Sequence, residues 1–225
     1  MAILAKGSEN KGSDFKPVPE GTHLGRAVTV VDCGMQKTTW NDEDKWQHKI
    51  WIAFEIPAVR VSWRDKEDQE HEGPALIGKM YTNSIYEKAA LGQHLASWRG
   101  KSFTSKEVAD GFDVSALLDK ECQLSVTHRQ SKDGQKVYAN ITGIMGLPPG
   151  VQVPARETDL TLYDPTASEA PAVFDRLPNW LQEKVTFGHR LDTSQPVAPI
   201  PEPPVGITVP GGATGDGDFD DSIPF

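Results

Sequence analysis

A mainly β chain, with one helix between its third and fourth strands and a loose acidic end, is what this sequence predicts, and three observations predict it. Stretches rich in Val, Ile and Thr alternate with a period of two up to residue 84 and again from residue 121. Between them the clearest helical spacing is IYEKAALGQHLASWRG, residues 85 to 100. The last thirty residues hold seven of the seventeen prolines and five of the twenty glycines, with no period at all.

Residues 1 to 15 are polar and expected to be loose. HLGRAVTVVDCGM (23 to 35) then reads as a first strand closed by Gly34, and the polar MQKTTWNDEDK that follows reads as a loop. WQHKIWIAFEIP (46 to 57) is a second strand that Pro57 bounds. Alternation puts Ile50, Ile52, Phe54 and Ile56 on one face and Lys49, Trp51, Ala53 and Glu55 on the other. VRVSWRDKEDQEHEG reads as a long charged connection, whose DKEDQEHE run (65 to 72) repels phosphate and belongs in a solvated loop. ALIGKMYTNS (75 to 84) is the third strand.

The helix over 85 to 100 ends at Gly100, and WRGKSF around it is best explained as a cap. FDVSALLDK (112 to 120) reads as a shorter helix. ECQLSVTHRQ (121 to 130) and KVYANITGIMG (136 to 146) flank SKDGQ, where Asp133-Gly134 supplies hairpin turn chemistry. After Pro148-Pro149, VFDRLPNWLQEKV (173 to 185) adds an amphipathic helix.

Three strands, a helix and two strands is the order of a five-stranded OB-fold Greek-key barrel. The alternative, an immunoglobulin-like sandwich, wants about seven short strands and no central helix. The division that follows is a flexible N-terminus over 1–15, an OB domain over 16–150, an extension with a short helix over 151–190, and a disordered acidic tail over 191–225.

The 225 residues suffice for one sizeable core. The formal charge is -9, of which -5 lies between Pro196 and Phe225 (Glu202, Asp216, Asp218, Asp220, Asp221), leaving -4 for the rest. The acidic balance therefore does not exclude a phosphate-bearing partner for the body. No apolar run of membrane length and no secretory leader is seen, so a cytoplasmic protein without membrane contact is expected. Cys33 and Cys122 have no metal or disulfide spacing and read as reduced, buried thiols.

An OB barrel binds oligonucleotides on strands two and three and on the loops joining strands one to two and four to five. Lys49 with Trp51, and Lys79 with Tyr81, repeat a cation and an aromatic two residues apart on those strands. That pairing suits single-stranded nucleic acid, which needs ring faces for bases and ammonium groups for phosphates. It is equally what solvated strands carry for packing reasons. Lys37 and Trp40 lie in the first loop, and Arg129, Lys132, Lys136 and Tyr138 surround the Asp-Gly turn.

Catalytic motifs are missing: no phosphate loop, HExxH or GxSxG occurs, and the six histidines lack metal-ligand spacing. A metal nuclease assembled from Asp42, Glu43, Asp44 and the acids of 65 to 72 would stand on loops, where rigid placement is hard to obtain. A non-enzyme with neither cofactor nor metal is expected.

The chain ends DFDDSIPF, an apolar tip on a polar segment. Asp218, Phe219, Asp220 and Asp221 followed by Ile223, Pro224 and Phe225 resemble the acidic tip of single-stranded DNA-binding proteins of the bacterial and phage type. The resemblance implies that these residues recruit replication, recombination and repair proteins to coated strands. The long second connection and the extra helix depart from the compact bacterial domain and look more like a phage- or plasmid-encoded variant acting in a bacterial host's cytoplasm. Self-association stays open. The competing reading is an interaction protein whose tip imitates that of the host protein and which binds no DNA itself.

Overall fold

The computed structural model describes residues 17–40, 43–64, 68–131, 134 and 136–192. The expected loose N-terminus, and the tail from residue 193 with its tip, lie outside the described residues.

The chain is mainly β, built on an open six-stranded sheet that is antiparallel except for one short pairing. Its strands are β1 (Gly21–Trp40), β2 (Glu43–Arg64), β3 (Glu70–Thr82), β4 (Glu121–Gln130), β5 (Val137–Met145) and β6 (Thr161–Tyr163). The path runs β3-β2-β1-β4-β5. β1 joins its halves: residues 26 to 40 pair with β2 and residues 21 to 26 with β4. Register breaks at Ala27/Thr29 and Asp32/Gly34 bend this strand, and β6 lies parallel along Thr29 to Val31.

The two hairpins before residue 83 exceed the predicted strands. MQKTTW and EDK continue the ladder to Trp40 opposite Glu43, so most of the expected first loop is strand. Likewise VRVSW extends β2 beyond a bulge between Ile56 and Arg60, and Trp63 pairs with His71. The alternation of Val59, Val61 and Trp63 carries that extension, whereas the charge of the segment concealed it.

The helix after β3 is shorter than predicted: α1 spans Ala90–Arg99, and Gly100 closes it at φ 68°, a conformation that glycine adopts without strain. Trp98 donates its indole N–H to Glu121 O at 2.8 Å, and Arg99 pairs with Glu107 while lying 4.2 Å from the Phe103 ring centre, which is how WRGKSF is held. The helix expected over 112–120 is only a 3-10 turn, Val114–Leu117; a short α2 (Ser105–Asp110) precedes it, started by a Thr104–Glu107 capping box. The helix expected over 173–185 is two, α3 (Ala170–Phe174) and α4 (Asn179–Asp192), because Pro178 has no N–H to continue the first.

Two cores lie on opposite sides of the sheet. The inner one takes Ile50, Ile52, Phe54 and Ile56 from β2, as alternation predicts, with Tyr81, Leu124 and Ile141 from the other strands and Leu91 and Leu95 from α1. Lys79 donates to Ile141 O at 2.8 Å, so the edge strands β3 and β5 approach each other. The outer core sets Val31, Cys33, Trp51 and Ala53 against Tyr163, Val173, Leu177, Leu181 and Val185. The last three recur every four residues and form the apolar stripe leading into and along α4. Both cysteines are free and buried.

Candidate nucleic-acid interface

The outer face of β2 was expected to meet DNA, and the chain's own extension covers it. Trp51 is 3% exposed; its ring meets Trp180 edge-on at 4.9 Å and lies where a side chain on Gly78 would stand. Lys49 is buried, with its ammonium on Thr82 Oγ1 at 2.9 Å. Glu55 is fully buried and accepts the backbone N–H groups of Glu157 and Thr158, which fastens the crossing segment to the sheet. Helix α4 approaches so closely that a methyl group on Gly188 would overlap the Cys33 carbonyl.

Tyr81 is on the other side altogether. The register sets Tyr81 opposite Ile50 and Trp51 opposite Met80, so the two aromatics face opposite ways. Tyr81 is 1% exposed within the inner core and bonds His94 Nδ1 at 2.8 Å. The expectation of a shared stacking face on Lys49, Trp51, Lys79 and Tyr81 is therefore corrected: Trp51 belongs to the outer core and Tyr81 to the inner core, Lys49 is buried on Thr82, and the Lys79 ammonium is held on β5. The sequence carried a signal for the covering, the LPNWLQEKV stripe, but nothing in it said which face the stripe would meet.

The remaining candidates are on hairpin ends. Arg129 stands directly opposite Tyr138 in the β4–β5 ladder, and Arg129 and Lys136 are exposed. Lys132 lies outside the described residues. Lys37 is exposed opposite Trp46 and pairs with Asp44 at 2.6 Å, which holds the Asp44 carboxyl below its ordinary range. The Trp40 backbone ends β1, and its side chain lies outside the described residues.

Exposed aromatics that the sequence did not single out include Trp46, 46% exposed and stacked on exposed Phe187 of α4 with ring centres 6.0 Å apart, and Trp63, 51% exposed and stacked on His71 at 5.8 Å. Beside the first pair, Gln36, Lys37, Trp180, Glu183, Lys184 and Phe187 line a shallow groove. Trp46 was legible as the first residue of a strand; its exposure depends on where α4 passes.

A polar junction ties α4 to β1. Asp32 Oδ1 lies 2.5 Å from His48 Nε2 and accepts the Gly34 N–H at 2.8 Å, while His189 Nε2 is 3.1 Å from Asp32 O. Burial raises the Asp32 pKa, but the hydrogen bonds and charge facing it outweigh burial and leave it below the ordinary value. Gln36 bridges Cys33 O and Lys184 O, at 2.7 and 2.8 Å.

Among the described residues, no group of three His, Cys, Asp or Glu side chains is arranged to hold a metal, and no helix is long and apolar enough to cross a membrane. No family model matches the sequence, and no curated protein matches it significantly.

Proposed function

We propose that this protein binds single-stranded DNA with little regard to sequence, protects exposed strands, and brings replication, recombination or repair enzymes to them through the 218–225 tip. The observation that carries the reading is the strand path β3-β2-β1-β4-β5 with a bent, shared β1 and a helix between β3 and β4. That is the connectivity of a five-stranded OB barrel. The edge-to-edge bond from Lys79 supports closure of the barrel. The interface then falls on the two hairpin ends such a barrel uses, with Lys37 and Trp40 on one and Arg129, Lys132, Lys136 and Tyr138 on the other. Phosphates meet the cations and bases stack on the rings.

One observation favours the second reading, an interaction protein that binds no DNA. The sheet face best placed for bases is filled by α4. Titrating the full chain with oligo-dT, followed by tryptophan emission and anisotropy, separates the two. A DNA-binding protein gives saturable binding whose log affinity falls with log salt by about 0.7 per phosphate contact. No binding at low salt, together with capture of a repair enzyme by the tip, ends the first reading.

A further inference from the structure

Resting on the single-strand reading, we infer that α4 supplies half of a nucleobase-stacking subsite whose other half is the β1–β2 hairpin. Trp46 and Phe187 come from segments far apart in sequence, and their planes are 29° apart. Trp46 and Phe187 are 46% and 47% exposed, so an aromatic pair rather than a single apolar side chain is open to water. A ring pair needed only to clamp the helix would gain more by sinking into the outer core, as Trp51 and Leu181 do.

Charge and shape identify the occupant. Lys184 stands three residues before Phe187 on α4, and its ammonium has no partner among the described residues. Lys37 faces Trp46 across the ladder and, among the described residues, is held by exposed Asp44, which a phosphate can replace. Glu183 is the acid in the groove wall and favours an arrangement with the backbone on the Lys37 and Lys184 side. The Trp180 ring, also in the wall, adds aromatic surface beside the pair. A flat ring with an adjoining phosphate is an unpaired nucleotide. On this account α4 hides one aromatic, Trp51, and presents another.

The test measures oligo-dT affinity of the full chain for wild type, Trp46→Ala, Trp46→Phe, Phe187→Ala, Phe187→Leu and Lys184→Ala. Expected are losses of about tenfold for Trp46→Ala, Phe187→Ala and Phe187→Leu, with Trp46→Phe near wild type. Lys184→Ala is expected to flatten the salt slope by about 0.7. Phe187→Leu guards against a packing effect, because leucine keeps apolar bulk and loses the ring face. Wild-type affinity in Phe187→Leu alongside loss in Phe187→Ala overturns the subsite in favour of a clamp. Equal affinity of wild type, Trp46→Ala and Phe187→Ala overturns the subsite and leaves DNA binding standing. No binding by wild type overturns both.

Discussion

The two faces of β2 are both buried, and for different reasons. Ile50, Ile52, Phe54 and Ile56 face neighbours from the same sheet and from α1, whereas Trp51 and Ala53 face a segment that arrives about 110 to 135 residues later. The inner face is a property of the sheet and the helix that follows β3. The outer face is a property of the extension, and it decides which aromatics the protein shows to solvent. A strand whose outward residues include Lys49, Trp51 and Glu55 looks solvated until the covering element is known, and Glu55 shows how a charged residue is accommodated there, by backbone N–H donors.

Truncation sharpens that comparison most. Phe54→Ala is expected to lose about 3 to 5 kcal/mol, and Trp51→Ala is expected to lose a similar amount if the outer layer is a true core. Chemical denaturation checks both. A loss for Trp51→Ala no larger than about 0.5 kcal/mol, the usual size of a surface change, would mean the outer layer is only loosely applied.

Gly188→Val is the next largest effect, about 1 to 3 kcal/mol, because its side chain would overlap the Cys33 carbonyl and Gln36. The damage is expected to stay on the outer side. Hydrogen exchange should show α4 losing protection while β2 and β4 keep theirs, with tryptophan emission moving to the red as Trp180 and Trp51 meet water. Equal loss of protection in all elements would show that the two cores melt as one unit.

How much of this was legible follows the same division. Period-two alternation in IWIAFEI gave the inner core residue by residue, and Asp133-Gly134 gave the last hairpin, since both signals are local. The β2–β3 arm was concealed because DKEDQEHE outweighed the alternation of VRVSW, although a two-stranded arm can hold charges on both faces. Pro178 marked a break that the apolar spacing of VFDRLPNWLQ disguised. The pairing of outer β2 with α4, and hence the burial of Trp51 and exposure of Trp46, depends on a contact between distant segments that periodicity in either one does not encode. A turn's position is a local signal, whereas the cover of a strand's face is not, which is why Trp51 and Lys49 read as outward-facing.

The smallest expected effect isolates the charge at the junction of the two layers. In the folded chain the Asp32 carboxyl titrates below its ordinary value of 3.8, held there by His48, the Gly34 N–H and the charge of His189. A depressed folded pKa means that the contribution is present above the unfolded value and is lost as pH falls through the folded one. Below that, protonated Asp32 no longer offers a carboxylate to His48 of β2 and His189 of α4. Docking of α4, read by tryptophan emission, is therefore expected to weaken on acidification before the inner core melts. Asp32→Asn removes the charge at every pH, so it should lower neutral stability by about 1 kcal/mol and flatten this acid transition. An unchanged acid transition in Asp32→Asn would place the pH sensitivity elsewhere and leave packing, chiefly Gly188 on Cys33, and the Gln36 bridge to Lys184 O as what holds the helix to the sheet.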